Sequence, residues 1–167
     1  MTHIHPDTRI GHAHLRVSDL ERALKFYRDL LGFEVTTWYN DQAVFLSAGG
    51  YHHHIGLNTW GSKGGTPPPR GHTGLYHVAI LLPNRKELAR VVQRLRDADY
   101  PILGASDHGA SEAVYLNDPD QNGIELYCDR PKEQWPRDNK GTLAMPTKPL
   151  DPDDLLKALD TPAEGVP

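Results

Sequence analysis

The sequence predicts an α+β protein in which two βαβββ modules pair into a cup-shaped mixed β-sheet, a half-barrel. The segments 11–33 and 76–100 read alike: each opens with a histidine and an apolar strand and continues into an amphipathic helix. Three strand-like runs then follow each helix. A four-stranded sheet with its helix on one face leaves the other face uncovered, and two such units can cover each other.

The first module is expected over residues 8–60, with its opening strand directly after His12. Ser18 and Glu21 have the spacing of a capping box, which predicts the start of the helix. Gly32 is expected in the left-handed conformation that ends a helix. The three later strands are predicted at 33–39, 43–48 and 52–60.

A Gly/Pro-rich linker, residues 61–75, leads to the second module at 76–131. His77 opens its first strand as His12 opens the other, and Asn84 has the position of a helix cap. The later strands are predicted at 101–106, 112–117 and 123–128. We therefore expect one domain over residues 1–131, followed by a C-terminal arm, 132–167, that carries a short helix from Pro152.

Both predicted helices carry an apolar stripe at the 3.6-residue spacing of a helix that packs against a sheet. The stripe of the first helix consists of Leu20, Ala23, Leu24, Tyr27 and Leu31. The stripe of the second consists of Leu88, Val91, Val92, Leu95 and Ala98. We expect these residues in the core.

The composition of the 167-residue chain narrows the classes of function. A hydrophobic fraction of 38% and a net charge of −4 are typical of a globular protein that does not bind nucleic acid. The single cysteine, Cys128, excludes an internal disulfide framework and a cysteine-rich zinc site. No apolar run suits a membrane helix or a secretory signal, so we expect a cytoplasmic protein without a membrane partner.

Three residues suited to metal binding stand out: two histidines at equivalent positions of the repeat and one glutamate on an apolar strand. His12 and His77 open equivalent strands, and near-twofold symmetry between the modules would bring them together. Glu125 lies between two apolar residues on a strand, where a carboxylate is costly to bury unless it is paired. Two imidazoles and one carboxylate form the facial triad of non-haem Fe(II) enzymes. Alternatively, each histidine is a hydrogen-bonded core residue and Glu125 pairs with an arginine.

Four stretches closely resemble the vicinal oxygen chelate superfamily, and within it the catechol 2,3-dioxygenase-like type I extradiol dioxygenases. These stretches are GHAHLRVSDLERALKFYRDLLGF, SAGGYHHHIGLNTW, GLYHVAILLPNRKEL and SEAVYLNDPDQNGIELYCDRP. The resemblance implies the glyoxalase fold and an enzyme that opens a catechol-type ring with O₂. It also implies Fe(II), with Mn(II) or another divalent metal as the alternative, and a homodimer.

The same resemblance implies roles for single residues. His12, His77 and Glu125 correspond to the metal ligands. His53 corresponds to an acid/base histidine beside the metal and Tyr115 to a tyrosine that contacts the substrate. A second histidine near the substrate corresponds to His108. In an extended strand, His52 and His54 would point away from the side to which His53 points.

The family pattern also leaves alternatives open, because extradiol enzymes carry two pairs of modules and this chain carries one. A metal-dependent lyase or transferase of the glyoxalase or fosfomycin-resistance type also uses two histidines and a glutamate. The transferase needs cationic groups at its substrate, for which the linker offers Lys63 and Arg70. Glyoxalase has a carboxylate where this chain has His53. A catalytically silent binding protein is the third reading.

Overall fold

A computed structural model describes residues 3–69 and 71–160 of the chain. The chain divides into two compact units, Met1–Pro67 and Pro68–Pro167. Each unit contains one βαβββ module with an open sheet, so the predicted α+β class and the double module are confirmed. Arg70 and the end of the predicted arm, 161–167, lie outside the described residues.

The first unit builds a four-stranded sheet in the order β1-β4-β3-β2, in which β1 and β4 run parallel and the other neighbours antiparallel. The element bounds are β1 Ala13–Arg16, α1 Leu20–Leu24, β2 Glu34–Tyr39, β3 Ala43–Ser47 and β4 Ile55–Asn58. A π-helical segment, Lys25–Leu30, extends α1. The predicted apolar stripe of this helix is buried.

The ends of the first helix agree only in part with the prediction. Asp19 is the cap, and its carboxylate accepts a hydrogen bond from the backbone amide of Arg22 at 2.7 Å. The prediction of Ser18 as the cap was wrong by one residue, because Ser18 instead accepts a hydrogen bond from the Arg22 guanidinium at 2.6 Å. Gly32 has φ 92° and its amide donates to the Arg28 carbonyl, so the predicted left-handed end is confirmed.

The fourth strand begins later than predicted, at Ile55. His52, His53 and His54 therefore lie in the segment before β4, which Gly49 and Gly50, both with positive φ, introduce. The expectation that His52 and His54 point away from His53 rested on strand alternation, which does not apply outside a strand.

The second unit builds a five-stranded sheet in the order β5-β8-β7-β6-β9. The bounds are β5 Val78–Leu81, α2 Arg85–Asp97, β6 Gly104–Asp107, β7 Ser111–Asn117, β8 Gly123–Asp129, β9 Lys148–Pro149 and α3 Pro152–Leu156. Only β5 and β8 run parallel; the other neighbours are antiparallel. Strand β6 starts at Gly104, three residues after the predicted start.

The long helix α2 begins as predicted, since the Asn84 side-chain oxygen accepts a hydrogen bond from the backbone amide of Glu87 at 3.0 Å. Its stripe is buried up to Leu95, but the helix ends at Asp97 and Ala98 is exposed. Residues of β8 alternate between buried and half-buried. Ile124, Leu126 and Cys128 are buried in the core, whereas Glu125 lies on the other face of the sheet.

The C-terminal arm adds strand β9 to the edge of this sheet and places α3 against α2. The predicted short helix is present from Pro152, and a 3₁₀ turn, Lys157–Leu159, follows it. Leu155 is fully buried. Across the described parts of the chain, no helix combines the length and apolar character that crossing a membrane would require.

Candidate metal and substrate site

His77 and Glu125 form a close pair in the second unit. The His77 Nε2 and Glu125 Oε2 atoms are 2.9 Å apart, and the two side chains are 30% and 13% exposed. An imidazole nitrogen and a carboxylate oxygen thus meet at the surface of the sheet that faces away from the core. Two of the three residues predicted as metal ligands are therefore neighbours.

The parallel pairing of β5 and β8 brings this pair together. Val78 is opposite Ile124, which places His77 beside Gly123 at the start of both strands. A Cβ atom at position 123 would overlap the carbonyl oxygen of Tyr76 and lie 3.2 Å from the Cα atom of His77. Only glycine permits this approach, and the sequence analysis predicted Gly123 as the first residue of a strand without giving it a role in the site.

Tyr115 connects this pair to β7. It lies directly opposite Glu125 in the antiparallel β7–β8 ladder, and its hydroxyl donates to Glu125 Oε1 at 2.9 Å. Burial and the hydrogen bond to the carboxylate raise the pKa of Tyr115 well above its ordinary value. The hydroxyl therefore keeps its proton at neutral pH and orients one oxygen of Glu125, while His77 contacts the other.

His108 extends the series of contacts by one residue. Its Nε2 atom is 2.7 Å from the Tyr115 hydroxyl oxygen, and its Nδ1 atom is 3.2 Å from the carbonyl oxygen of Pro146. The tight turn between β6 and β7 positions it, since the amide of His108 donates to the carbonyl of Ser111 at 2.9 Å. The structure thus joins His77, Glu125, Tyr115 and His108 in one hydrogen-bonded series.

A cavity of about 440 Å³ is lined by three residues of this series, His77, His108 and Tyr115. Its lining combines polar groups with apolar side chains, among them His77, His108, Tyr115, Leu103, Ser106 and Thr147. Sequence reasoning did not identify Ser106 and Thr147. No motif in the sequence marks Ser106, and Thr147 belongs to the arm, which lies outside the repeat and so offers no matched position.

In the first unit, the structure brings together His12 and His53. Their ring centroids are 4.3 Å apart, and His53 Nδ1 is 2.7 Å from His52 Nδ1. One of these two nitrogens must carry the proton that the other accepts. Burial, and then the proximity of His12 and the other histidines, lowers the pKa of His53, which favours the neutral imidazole. His52 is thus a partner of His53.

His14 is exposed, and its ring lies across β4, a position that the sequence analysis did not assign. A Cβ atom on Gly56 would lie 2.8 Å from His14 Cδ2, so glycine is needed for the imidazole to lie across β4. The ring is 5.5 Å from that of Phe45 and 5.7 Å from that of Trp60. Burial and the nearby His12 lower the pKa of His14, so this group favours the neutral form as well.

The donor chemistry of these residues fits a divalent first-row metal. His77 and Glu125 offer an imidazole nitrogen and a carboxylate oxygen at one place, and these are ligands that Fe(II) and Mn(II) accept. Tyr115 holds the second carboxylate oxygen, as partners of metal-bound carboxylates commonly do. Within residues 3–69 and 71–160, no three histidine, cysteine, aspartate or glutamate side chains form a group that could hold a metal ion.

Comparison with known proteins gives consistent matches. Residues 9–126 match the sequence model of the glyoxalase/bleomycin resistance protein/dioxygenase superfamily. The chain is 46% identical over 157 residues to a catechol-2,3-dioxygenase of Bacillus subtilis, which covers 94% of this chain and 54% of the relative. It is 32% identical over 123 residues to biphenyl-2,3-diol 1,2-dioxygenase 3 of Rhodococcus globerulus, covering 72% of this chain and 63% of the relative.

The matched part of the chain therefore spans 54% and 63% of the length of these two curated relatives. Solved structures share its fold over most of their length. A lactoylglutathione lyase from Agrobacterium tumefaciens aligns with a TM-score of 0.58 and 25% identity, covering 74% of this chain and 96% of that one. A glyoxalase/dioxygenase from Nostoc punctiforme aligns with a TM-score of 0.64 and 19% identity, covering 78% and 99%.

Proposed function

The chain belongs to the glyoxalase/bleomycin resistance protein/dioxygenase superfamily, and from that premise we propose that it is an extradiol ring-cleaving dioxygenase that opens a catechol-type aromatic diol with O₂. Two curated relatives that carry dioxygenase names support the reaction class. The observation that carries the proposal is the hydrogen-bonded series His77, Glu125, Tyr115 and His108 beside a cavity of about 440 Å³.

His12, His77 and Glu125 are the residues that would hold the metal, which we propose to be Fe(II), with Mn(II) or another divalent ion as the alternative. Two of the three donors are already neighbours at 2.9 Å. A metal of this kind supplies Lewis acidity and electron transfer to O₂, and it lowers the pKa of a hydroxyl that it coordinates.

The chain's own residues would orient the diol and handle its protons. Tyr115 and His108 both line the cavity, and the Tyr115 hydroxyl oxygen lies 2.7 Å from His108 Nε2, so a substrate hydroxyl bound there would meet a phenol oxygen and an imidazole. Leu103 and the other apolar lining groups would pack against an aromatic ring. His53, with its lowered pKa, is available as a base at neutral pH.

We also propose the arrangement in which the protein would act. Residues 1–131 form one catalytic domain in this proposal, residues 132–167 form an appended arm, and the cytoplasmic enzyme is a homodimer without nucleic-acid or membrane partners. The support for the dimer is the resemblance of the sequence to the vicinal oxygen chelate superfamily. Light scattering should then give about twice the chain mass of 18.7 kDa; a mass equal to that of one chain would refute the dimer.

The test is anaerobic loading with Fe(II), or with Mn(II) in parallel, followed by catechol, methylcatechols and 2,3-dihydroxybiphenyl in air. We expect oxygen uptake and the yellow ring-opened product with wild type. Glu125→Ala should lose both, and its iron content should fall, because a ligand is removed. Glu133→Ala, which changes an exposed glutamate of the arm, is the matched control and should behave as wild type.

Two results would contradict the proposal. Fully iron-loaded wild type that takes up no oxygen with any of these diols would exclude the dioxygenase reaction and favour a lyase, a transferase or a silent binding protein. Full iron content and activity in Glu125→Ala would show that Glu125 is not a ligand, whatever the reaction is.

A further inference from the structure

The cavity of the second unit has a bare patch in its lining at Gly104. This residue begins β6 and lines the cavity. A Cβ atom built on it meets no atom within 4 Å, and its φ lies outside the left-handed range. The backbone geometry therefore does not call for glycine, and a glycine weakens a strand because it has no side chain to pack. What the glycine provides at this position is empty space above the strand.

The strand register places this space in line with the proposed site. Gly104 lies directly opposite Tyr115 in the β6–β7 ladder, and Tyr115 lies directly opposite Glu125 in the β7–β8 ladder. Directly opposed residues point to the same face of a sheet, so the three positions form one row on that face. Neighbouring strands lie about 4.8 Å apart, which puts Gly104 about 10 Å from Glu125 along the row. The row is longer than a single aromatic ring.

Apolar groups border the space over Gly104. Leu103 is 65% exposed and lines the cavity, and its amide donates to the Tyr115 carbonyl at 2.8 Å, which holds it beside β7. Leu116 and Ile124 also line the cavity. Among the described residues of the lining there is no lysine, arginine, aspartate or glutamate. This end of the cavity therefore suits an uncharged, apolar group.

The volume of the cavity also exceeds what an unsubstituted catechol needs. The volume is about 440 Å³, and pockets of about 300–1,000 Å³ hold ligands of drug size. A catechol is one six-membered ring with two hydroxyl groups, so it would fill only the part of the cavity near Tyr115. Water would then remain in the apolar part over Gly104, which is unfavourable.

We propose that Gly104 determines substrate size: the space over it accepts an apolar ring substituent, so the substrate class is a catechol that carries a bulky apolar group such as a second ring. The proposal rests on the proposed function for the position of the diol, whose hydroxyl groups would lie near His77 and Tyr115. The substituent would pack on the backbone of β6 and against Leu103. Its burial would strengthen binding in proportion to its apolar area.

Anaerobic titration calorimetry measures the binding step without turnover, on both the metal-free and the Fe(II)-loaded full-length protein. The two probes are catechol and 2,3-dihydroxybiphenyl, which is a catechol with a phenyl substituent. Wild type should bind 2,3-dihydroxybiphenyl at least about tenfold more tightly than catechol, because the second ring is buried. Equal affinities for the two diols, or no binding of 2,3-dihydroxybiphenyl by either form of the protein, would overturn the proposal.

Filling the space over Gly104 is the second test. Gly104→Val should weaken the binding of 2,3-dihydroxybiphenyl about tenfold and leave the binding of catechol within about twofold. Gly104→Ala adds only one methyl group and should give a smaller loss in the same direction. Gly74→Val is the matched control, because this exposed linker glycine does not line the cavity and a Cβ atom on it also meets no atom within 4 Å. It should bind both diols as wild type does.

Turnover separates the role of Gly104 from the proposed reaction. In the iron-loaded enzyme, Gly104→Val should lower kcat/KM for 2,3-dihydroxybiphenyl about tenfold, while kcat/KM for catechol stays within about twofold. An equal loss for both diols, or no loss for either, would overturn the role of Gly104 in substrate size. If wild type takes up no oxygen with any diol, the dioxygenase proposal fails, and the binding data still decide the role of Gly104. Gly104→Ala decides it if Gly104→Val fails to fold.

Discussion

Tyr115 is the residue at which the ligand pair and the proton-handling groups meet. Its hydroxyl touches both Glu125 Oε1 and His108 Nε2, and burial keeps it protonated. The Tyr115 hydroxyl oxygen therefore orients the Glu125 carboxylate and also contacts the His108 imidazole. Removal of that atom should affect turnover more than it affects the fold, because the ring remains in place.

Tyr115→Phe should lower kcat with a catechol about 100-fold, the smaller end of the range for a lost acid–base group, while the protein stays folded. Tyr127→Phe makes the same change two residues from Glu125 on β8, without a hydrogen bond of its own to the pair, and should keep kcat within about twofold. Steady-state oxygen uptake measures both. Equal kcat values for the two variants would contradict the role assigned to Tyr115.

Cys128 offers a second residue-scale prediction, because it is the single cysteine and is buried. Burial, and then the nearby Glu112, raise the pKa of its thiol to about 11. At pH 8.5 the folded protein should therefore react with iodoacetamide about 100-fold more slowly than the urea-unfolded chain, whose thiol has an ordinary pKa. Similar rates in the two states would show that the thiol is accessible.

The sign of the linked stability effect follows from the same shift. The folded state holds the Cys128 proton more tightly than the unfolded state, so this contribution to the free energy of unfolding is complete below about pH 9. It is lost as the pH rises towards about 11. In urea titrations, the free energy of unfolding of Cys128→Ser should depend less on pH over that range than that of wild type.

At the scale of elements, the parallel contact of β5 with β8 positions the ligand pair. His77 precedes β5 and Glu125 lies within β8, so their 2.9 Å contact depends on how closely the two strand starts approach. Gly123 permits that approach because any side chain there would meet the backbone of Tyr76. The glycine thus acts on the site through strand spacing, without a functional group.

Gly123→Ala should move β8 away from His77 and cost about 1–3 kcal/mol in the free energy of unfolding, as overpacking does. The affinity for Fe(II) or Mn(II) should fall as well. Gly104→Ala is the matched control, because a Cβ atom in β6 at that position meets no atom within 4 Å. Thermal unfolding and anaerobic equilibrium dialysis measure the two effects; wild-type affinity in Gly123→Ala would contradict the spacing argument.

At the scale of the whole molecule, a chain of ion pairs connects distant parts of the second unit. Glu112 accepts hydrogen bonds from Arg85 at 2.6 Å and from Arg130 at 2.9 Å. Arg85 also pairs with Asp154 in α3, and Arg130 also pairs with Asp107 in β6. The Glu112 side chain is 11% exposed, so its charge depends on these partners. The network joins the sheet, α2 and the arm.

Glu112→Gln should lower the free energy of unfolding by about 1–3 kcal/mol, since hydrogen bonds between charged groups are lost. Urea denaturation followed by circular dichroism measures the change. Glu133→Gln, at an exposed position of the arm, should unfold at the wild-type urea concentration. If both variants unfold like wild type, the network contributes nothing to stability.

Local patterns in the sequence were sufficient for the module order, the cap at Asn84, the left-handed Gly32 and the apolar stripe of the first helix. Each of these depends on residues within a few positions of one another, through helix periodicity or capping. The same local reasoning placed the first helix cap at Ser18 and the fourth strand at residue 52. The first error arose where adjacent residues compete for one role, as Ser18 and Asp19 do.

The sequence by itself determined which residues are candidates, because His77 and Glu125 are conspicuous by their place in a repeat and by a charge on an apolar strand. Only the tertiary structure decided their contacts. The register of β7 against β8 puts Tyr115 opposite Glu125, and the docking of the arm puts Pro146 beside His108, 38 residues away. The first contact depends on the exact geometry of the turn between β7 and β8, and the second depends on packing between distant segments, which no periodicity or spacing in the sequence specifies.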